Sequence, residues 1–213
     1  MKKLLHLPLA PHLFFESRLW KNGIYHVAGI DEAGRGALAG PVAAAAVIFP
    51  TNEDLSKQLD GVRDSKQMTA EERTKWAPLI KSCASSWAVG FASHQEIDEF
   101  GILHATRLAI KRALESLYIP PDHLLIDFLT LPEIPYPQTS LVKGDCRSLS
   151  IAAASVLAKT SRDQLMREYA EKYPEFGFAE HKGYATRLHL ERIEHFGPCP
   201  IHRRTFAPIN QHA

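Results

Sequence analysis

An α/β fold is predicted for this chain: a mixed five-stranded sheet flanked by helices, with a further helical portion at the C-terminal end. Three observations predict it. Strand-length runs rich in β-branched, aromatic or small apolar residues recur through the first two thirds. Longer segments with apolar residues at helical spacing separate the later runs. The last third carries helical patterning alone. Three strands that can meander, then a helix and two helix-flanked strands, indicate a mixed sheet with helices on its faces.

The elements follow in order. Ile24–Ile30 reads as the first strand, ending at the acid pair Asp31-Glu32 and the turn Gly34-Arg35-Gly36. Val42–Phe49 contains four alanines, which favour helix, but Pro41 and Pro50 confine it to strand length. The short connection makes these two strands antiparallel. Thr69-Ala70-Glu71-Glu72 has capping-box spacing and opens a helix reaching Cys83. Ser86–Ala92 is the third strand. Ile102–Tyr118 is a helix, with Ile102, Ala105, Ala109, Ala113 and Leu117 on one face. Leu124–Asp127 and Gln138–Val142 are the fourth and fifth strands, separated by a Pro-rich loop. Leu149–Tyr173 is a long helix dense in small residues and stopped by Pro174; Thr186–Phe196 is the last helix, ending at Gly197-Pro198. Residues 1–22 are expected to be a loosely ordered leader, 23–208 one domain whose helical part spans about 148–208, and 209–213 a tail.

Composition narrows the function classes. The chain has 213 residues and a net charge of +1, so bulk charge does not argue for nucleic acid and any basic surface must be local. Cys83, Cys146 and Cys199 are widely spaced, which argues against a disulfide framework or a zinc knuckle and suits a reducing, cytoplasmic setting. Lys2-Lys3 before Leu4–Ala10 faintly imitates a secretory signal, but His6 and Pro8 interrupt the apolar run. No run is long enough to span a membrane.

Four acids stand at strand ends or just beyond them: Asp31, Glu32, Asp127 and Asp145. Taken singly, Asp127 also reads as a turn residue and Asp145 as a cap for the following helix. The adjacent pair Asp31-Glu32 is harder to dismiss, because two carboxylates beside a buried strand are costly unless a cation pairs with them. If neighbouring strands bring the four to one rim, they form an oxygen-rich site suited to Mg²⁺ or Mn²⁺ rather than zinc. Asp163, four residues after Lys159, reads as one half of a surface ion pair.

GIDEAGRG (Gly29–Gly36), Asp64-Ser65-Lys66, Leu125-Ile126-Asp127, Lys143-Gly144-Asp145, Ala154–Lys159, His181-Lys182-Gly183-Tyr184 and His202–Phe206 occur in one order. That order resembles the bacterial ribonuclease HII family across about residues 24–208. Ribonuclease HIII is less similar, since its turn lacks the Gly-Arg-Gly form. Phe128 stands where the family commonly has Gly, and Ala185 where Pro is common.

The resemblance implies a ribonuclease H-like fold. It also implies hydrolysis of the RNA strand of RNA–DNA hybrids, with nicking 5′ of single ribonucleotides embedded in duplex DNA. Asp31, Glu32, Asp127 and Asp145 match the family's metal ligands, for Mn²⁺ or Mg²⁺, with two ions during catalysis. The turn Gly34-Arg35-Gly36 matches the family's ribose-contacting turn, and Tyr184 its sugar-stacking tyrosine. Read without the resemblance, the glycines make an ordinary hairpin turn and Tyr184 is a half-buried aromatic. Lys66, Lys143, Arg35 and Arg203-Arg204 are candidate phosphate contacts. His181, His189, His195 and His202 show no zinc-type spacing and read as surface or duplex-contacting groups. A monomer acting on hybrid and ribonucleotide-containing duplex, with no membrane, is expected. The rivals are a DNA-directed nuclease on the same fold and a catalytically silent hybrid-binding module.

Overall fold

The computed structural model describes residues 7–211. The helices are α1 (Phe14–Trp20), α2 (Leu55–Gln58), α3 (Ala70–Cys83), α4 (His94–Glu115), α5 (Leu149–Lys172), α6 (Phe178–His181) and α7 (Arg187–Phe196). The strands are β1 (Val27–Ala33), β2 (Val42–Ile48), β3 (Ser86–Ala92), β4 (His123–Asp127) and β5 (Gln138–Leu141). They form one sheet in the order β3-β2-β1-β4-β5, with β1 antiparallel to β2, β2 antiparallel to β3, and β1, β4 and β5 mutually parallel. The predicted mixed five-stranded sheet flanked by helices is therefore the fold.

Every residue of β2 is buried. Alternate side chains reach opposite layers. Ala45 and Val47 face a core shared with α3 and α5, whereas Ala44, Ala46 and Ile48 face a core shared with α4. The alanines that imitate a helix are thus the small residues of a central strand covered on both faces. Helix and sheet backbones come very close at two points. A Cβ at Gly29 would lie 2.2 Å from the Ser150 carbonyl carbon on α5, and one at Gly90 would lie 2.2 Å from the Ala109 carbonyl oxygen on α4.

The capping box of α3 forms as its spacing predicts: Thr69 Oγ1 accepts from the Glu72 N–H and Glu72 Oε2 accepts from the Thr69 N–H. An equivalent box at Ser93 and Glu96 starts α4 ahead of the predicted Ile102, and the helix breaks at Gly101, whose φ is 78°. The first strand runs later than predicted, through Asp31 and Glu32 rather than stopping before them. Its pairing with β2 continues to Ala33, so backbone hydrogen bonds hold both acids.

The termini differ from expectation. Part of the expected loose leader is α1, anchored by Glu16: its buried Oε1 accepts from the hydroxyls of Ser148 and Ser150 and from the Ser150 N–H. A carboxylate at the start of α5 satisfies orphan helix donors and suits the helix dipole. The lysines and the leading part of the apolar run, residues 1–6, lie outside the described residues. In the expected tail, Ile209 is fully buried in a core with Phe176, Phe178 and Ile201; residues 212–213 lie outside the described residues.

Candidate active site

The parallel pairing of β1 with β4 decides where the acids meet. The last paired residues are Ile30 and Ile126, so Asp31 and Asp127 follow side by side at the carboxyl end of the sheet. Asp127 Oδ1 accepts a 2.6 Å hydrogen bond from the Gly144 N–H, which ties the turn carrying Asp145 to the same rim. Asp31 and Asp145 are buried, and Glu32 is partly exposed.

The electrostatics record the crowding. Burial, then the Glu32 charge, holds the Asp31 carboxyl well above the usual carboxylate range, with Asp127 adding to the effect. Burial, then the charges of Asp145 and Glu32, pushes Asp127 up to about 6 against the Gly144 hydrogen bond. Carboxyls that resist ionisation together are short of positive charge. The all-oxygen donor set and this deficit fit a hard divalent cation. Glu32 Oε1 is turned 3.0 Å to the Arg35 guanidinium, and Asp145 Oδ2 lies 3.7 Å from Lys66 Nζ.

Lys66 is the cation at the centre. Burial disfavours its ammonium, yet the charges of Asp31, Asp64, Asp145 and Asp127 outweigh that and raise its pKa. Asp64 holds it there: Asp64 Oδ1 accepts from the Lys66 N–H, and the next N–H, of Ser65, is fixed to Ser155 Oγ on α5. Sequence reasoning treated Asp64 only as part of a motif. Asp64, Asp145 and Cys146 place potential ligand atoms within 4.8 Å of one another, the one such threesome among the described residues. Burial, then Asp145, pushes the Cys146 thiol up to about 11, which is poor for a thiolate ligand. The four predicted acids do not converge as closely; they line one rim.

Beside the rim lies a cleft of about 560 Å³, walled by Glu32, Gly34, Arg35, Gly36, Lys66 and Tyr184. Predicted residues from three separate motifs meet there. Lys159 joins them from α5, with Nζ 5.3 Å from the Tyr184 ring centroid. Its predicted partner Asp163 does pair with it at 2.6 Å, but it is buried and also faces Arg73, so that ion pair is internal. Lys143 is exposed on the other side of the acids, with φ 53°.

Two arginines that the sequence did not distinguish build the turn. Arg203 is fully buried, not at the surface, and donates to the carbonyls of Gly34 (2.7 Å), Arg35 (2.8 Å), Gly40 (3.0 Å) and Pro41 (3.2 Å). Arg162, also fully buried, donates to Pro41, Ala39 and Lys182 carbonyls at 2.8–3.0 Å. Burial, then repulsion from Arg162, lowers Arg203 to about 9. Because each trans peptide sets its N–H opposite its C=O, carbonyls 34 and 35 drawn to Arg203 turn the N–H groups of Arg35 and Gly36 away from it. Among the described residues neither N–H has a partner. Only Arg204, of the predicted pair, is exposed.

The histidines are likewise internal. His181, His189 and His202 are buried; His181 stacks on His189 at 4.3 Å, and His189 Nε2 lies 3.0 Å from His202 Nε2. His189 Nδ1 hydrogen-bonds the Tyr184 carbonyl, and His181 Nδ1 accepts from the Gly183 N–H, so this cluster carries the Tyr184 loop. Only His195 is exposed, as expected.

A carboxylate rim at the ends of parallel strands, with a basic cleft beside it, is the arrangement of a divalent-metal-dependent nuclease. Comparisons with known proteins agree. The profile of the family described as Ribonuclease HII matches residues 28–209. A ribonuclease HII of Desulfitobacterium hafniense is 53% identical over 196 residues, 92% of this chain and 74% of that protein. One from Syntrophotalea carbinolica is 50% identical over 200 residues, 94% of each. Among solved structures, the ribonuclease H2 of Pyrococcus horikoshii OT3 superposes with a TM-score of 0.71 at 28% identity, over 87% of this chain and 96% of that one. The chain belongs to the ribonuclease HII family and is a divalent-metal-dependent endonuclease with ribonuclease H activity.

Proposed function

We propose that this enzyme nicks duplex DNA on the 5′ side of a single embedded ribonucleotide, as well as cutting RNA in hybrids, leaving a 3′-hydroxyl and a 5′-phosphate. Removal of misincorporated ribonucleotides and primer remnants in the cytoplasm follows from that activity. The observation that carries the reading is the pair of unpartnered N–H groups at Arg35 and Gly36, held outward by Arg203 at the wall of the cleft beside the acids. A ribose 2′-oxygen can accept from such donors, and deoxyribose has nothing to offer them. A site built to pair with a hydroxyl rejects its absence strongly, because the donors are then desolvated without a partner.

Asp31, Glu32, Asp127 and Asp145 are assigned as ligands of Mg²⁺ or Mn²⁺. Bound as a pair, such ions supply an activated water and neutralise the departing oxygen. The residues of the chain do the rest. Lys66, Arg35 and Lys143 hold phosphates and so set the strand's position without reading sequence. Gly36 leaves the cleft open: a Cβ there would meet nothing within 4 Å. Tyr184, with Lys159 Nζ 5.3 Å and the Arg162 guanidinium carbon 5.4 Å from its ring centroid, is assigned to stack on the sugar of the adjoining deoxynucleotide.

The chain is proposed to act as a monomer. The test is a substrate panel: plain duplex DNA, RNA–DNA hybrid, and duplex DNA with one ribonucleotide, each with Mg²⁺, Mn²⁺ or chelator. Metal-dependent cleavage of the last two, and not the first, is expected. Cleavage of plain DNA would favour the DNA-directed rival, and binding without cleavage the silent module.

A further inference from the structure

On the opposite side of the acids from Tyr184 lies a second hollow of about 400 Å³, with Lys66, Asp127, Phe128, Val142, Lys143 and Asp145 in its wall. Lys66 lines both hollows, so they flank one cation at the carboxylate rim.

Phe128 is the anomaly in this wall. Its φ is 57°, in the left-handed region that bulky residues rarely occupy. The Leu129 N–H donates to the Asp127 carbonyl at 2.6 Å, closing a tight turn about Phe128, and the Phe128 N–H donates to the Leu141 carbonyl of β5 at 3.0 Å. Burial does not repay it, since the side chain is 71% exposed. Neighbouring Val142 is 53% exposed, and Lys143 is exposed in the same left-handed conformation. A strained backbone bearing an exposed aromatic beside a catalytic rim is an outlier that points toward function.

We propose that Phe128, with Val142 and Lys143, forms a nucleotide-stacking subsite for the substrate strand, across the acids from Tyr184. The face of a base or sugar lies on the Phe128 ring, and the adjoining phosphate meets Lys143. The occupant follows from the hollow's own wall, which includes Asp127 and Asp145 of the carboxylate rim. A strand whose phosphodiester lies at the carboxylates extends to both sides of them, and on the β5 side it meets an aromatic face next to a cation. Aromatic faces stack on any base, so the subsite grips without reading sequence. The inference rests on the assignment of the four acids as the cleavage site.

Three variants test it: Phe128→Gly, Phe128→Ala and Phe128→Tyr. Phe128→Gly relieves the backbone and is expected to raise the melting temperature of the free enzyme by roughly 2–4 °C. It is also expected to raise KM for a duplex with one ribonucleotide about fivefold or more, the low end of one lost stack, with kcat within about twofold. Phe128→Ala should share the KM defect, and Phe128→Tyr should keep wild-type KM. A substrate series with 2-aminopurine stepped along the cleaved strand should show one position whose fluorescence changes on binding wild type and Phe128→Tyr but not Phe128→Gly. Wild-type KM in Phe128→Gly with no such position overturns the subsite. Wild-type enzyme that cleaves neither hybrid nor ribonucleotide-containing duplex overturns the underlying site instead.

Discussion

Gly34 and Gly36 occupy one turn, and the structure separates their roles sharply enough to test. At Gly34 φ is 93°, and an added Cβ would lie 2.0 Å from Arg162 Nε and 2.4 Å from its Cδ. Gly34→Ala therefore adds a left-handed alanine, about 1–3 kcal/mol. It also displaces a fully buried guanidinium that donates to three carbonyls. Loss of even one such charge-assisted bond costs about 1.5–3 kcal/mol, so the total is about 2.5–6 kcal/mol, a large share of the ~5–15 kcal/mol that holds a domain folded. At Gly36 an added Cβ meets nothing within 4 Å and φ lies outside the left-handed range, so Gly36→Ala should change stability by no more than about 0.5 kcal/mol. On the proposed reading its methyl group crowds the ribose at the Arg35 and Gly36 N–H groups, and cleavage at a single ribonucleotide should fall about tenfold or more, on the order of one lost hydroxyl contact. Urea unfolding followed by tryptophan fluorescence gives the stabilities, and steady-state cleavage gives the activities. A Gly34→Ala enzyme with a wild-type unfolding midpoint, or a Gly36→Ala enzyme equally destabilised, would refute the account of how Arg162 and Arg203 build this turn.

The other expectations are briefer. Asp31→Asn should lower turnover on the order of 10²-fold or more without lowering stability, because its carboxyl is strained by burial and by Glu32; near-wild-type cleavage at saturating Mg²⁺ and Mn²⁺ would remove it from the site. Asp127→Asn should be more damaging than Asp145→Asn at saturating metal, and metal affinity of the wild type should rise with pH through about 6 as Asp127 gives up its proton; the reverse ranking, or affinity flat from pH 5 to 7, would count against this. His189 and His202 are each lowered to about 4, burial being the main cause. Folded-state stability from them is therefore complete above about pH 6.5 and declines as pH falls toward 4, by up to about 3 kcal/mol per ring, partly offset by the raised carboxyls of Asp31 and Asp127. Ring-proton titration in the folded enzyme checks it, and a midpoint near 6.5 for either ring would contradict it. Tyr184→Ala should depress cleavage at a single ribonucleotide at least as much as cleavage of a long hybrid; unchanged rates on both would make Tyr184 a packed aromatic only.

Much of the fold was legible in the chain because periodicity and punctuation are local. Pro41 and Pro50 marked out an alanine-rich strand, and Thr69 with Glu72 marked a helix start that forms as expected. The same logic could have found the start of α4 at Ser93 and Glu96, and passed over it. The four acids and the Gly-Arg-Gly turn were legible as chemistry that a buried strand end does not tolerate without a purpose.

Long-range placement was not legible. Arg203 and Arg204 are equivalent as letters, yet one is sealed among carbonyls of the turn and the other is exposed. His181, His189 and His202 read as surface groups and form a buried stack beneath the Tyr184 loop. Phe128 showed only as a departure from a family pattern, with no hint that its backbone is left-handed or its ring exposed. By itself the sequence determined which residue types could bind a divalent cation and which segments would be strands or helices, since both depend on side-chain chemistry and local spacing. Only the tertiary structure decided which cations face the cleft and which brace its walls, because a guanidinium's role depends on which carbonyls, brought from distant parts of the chain, surround it.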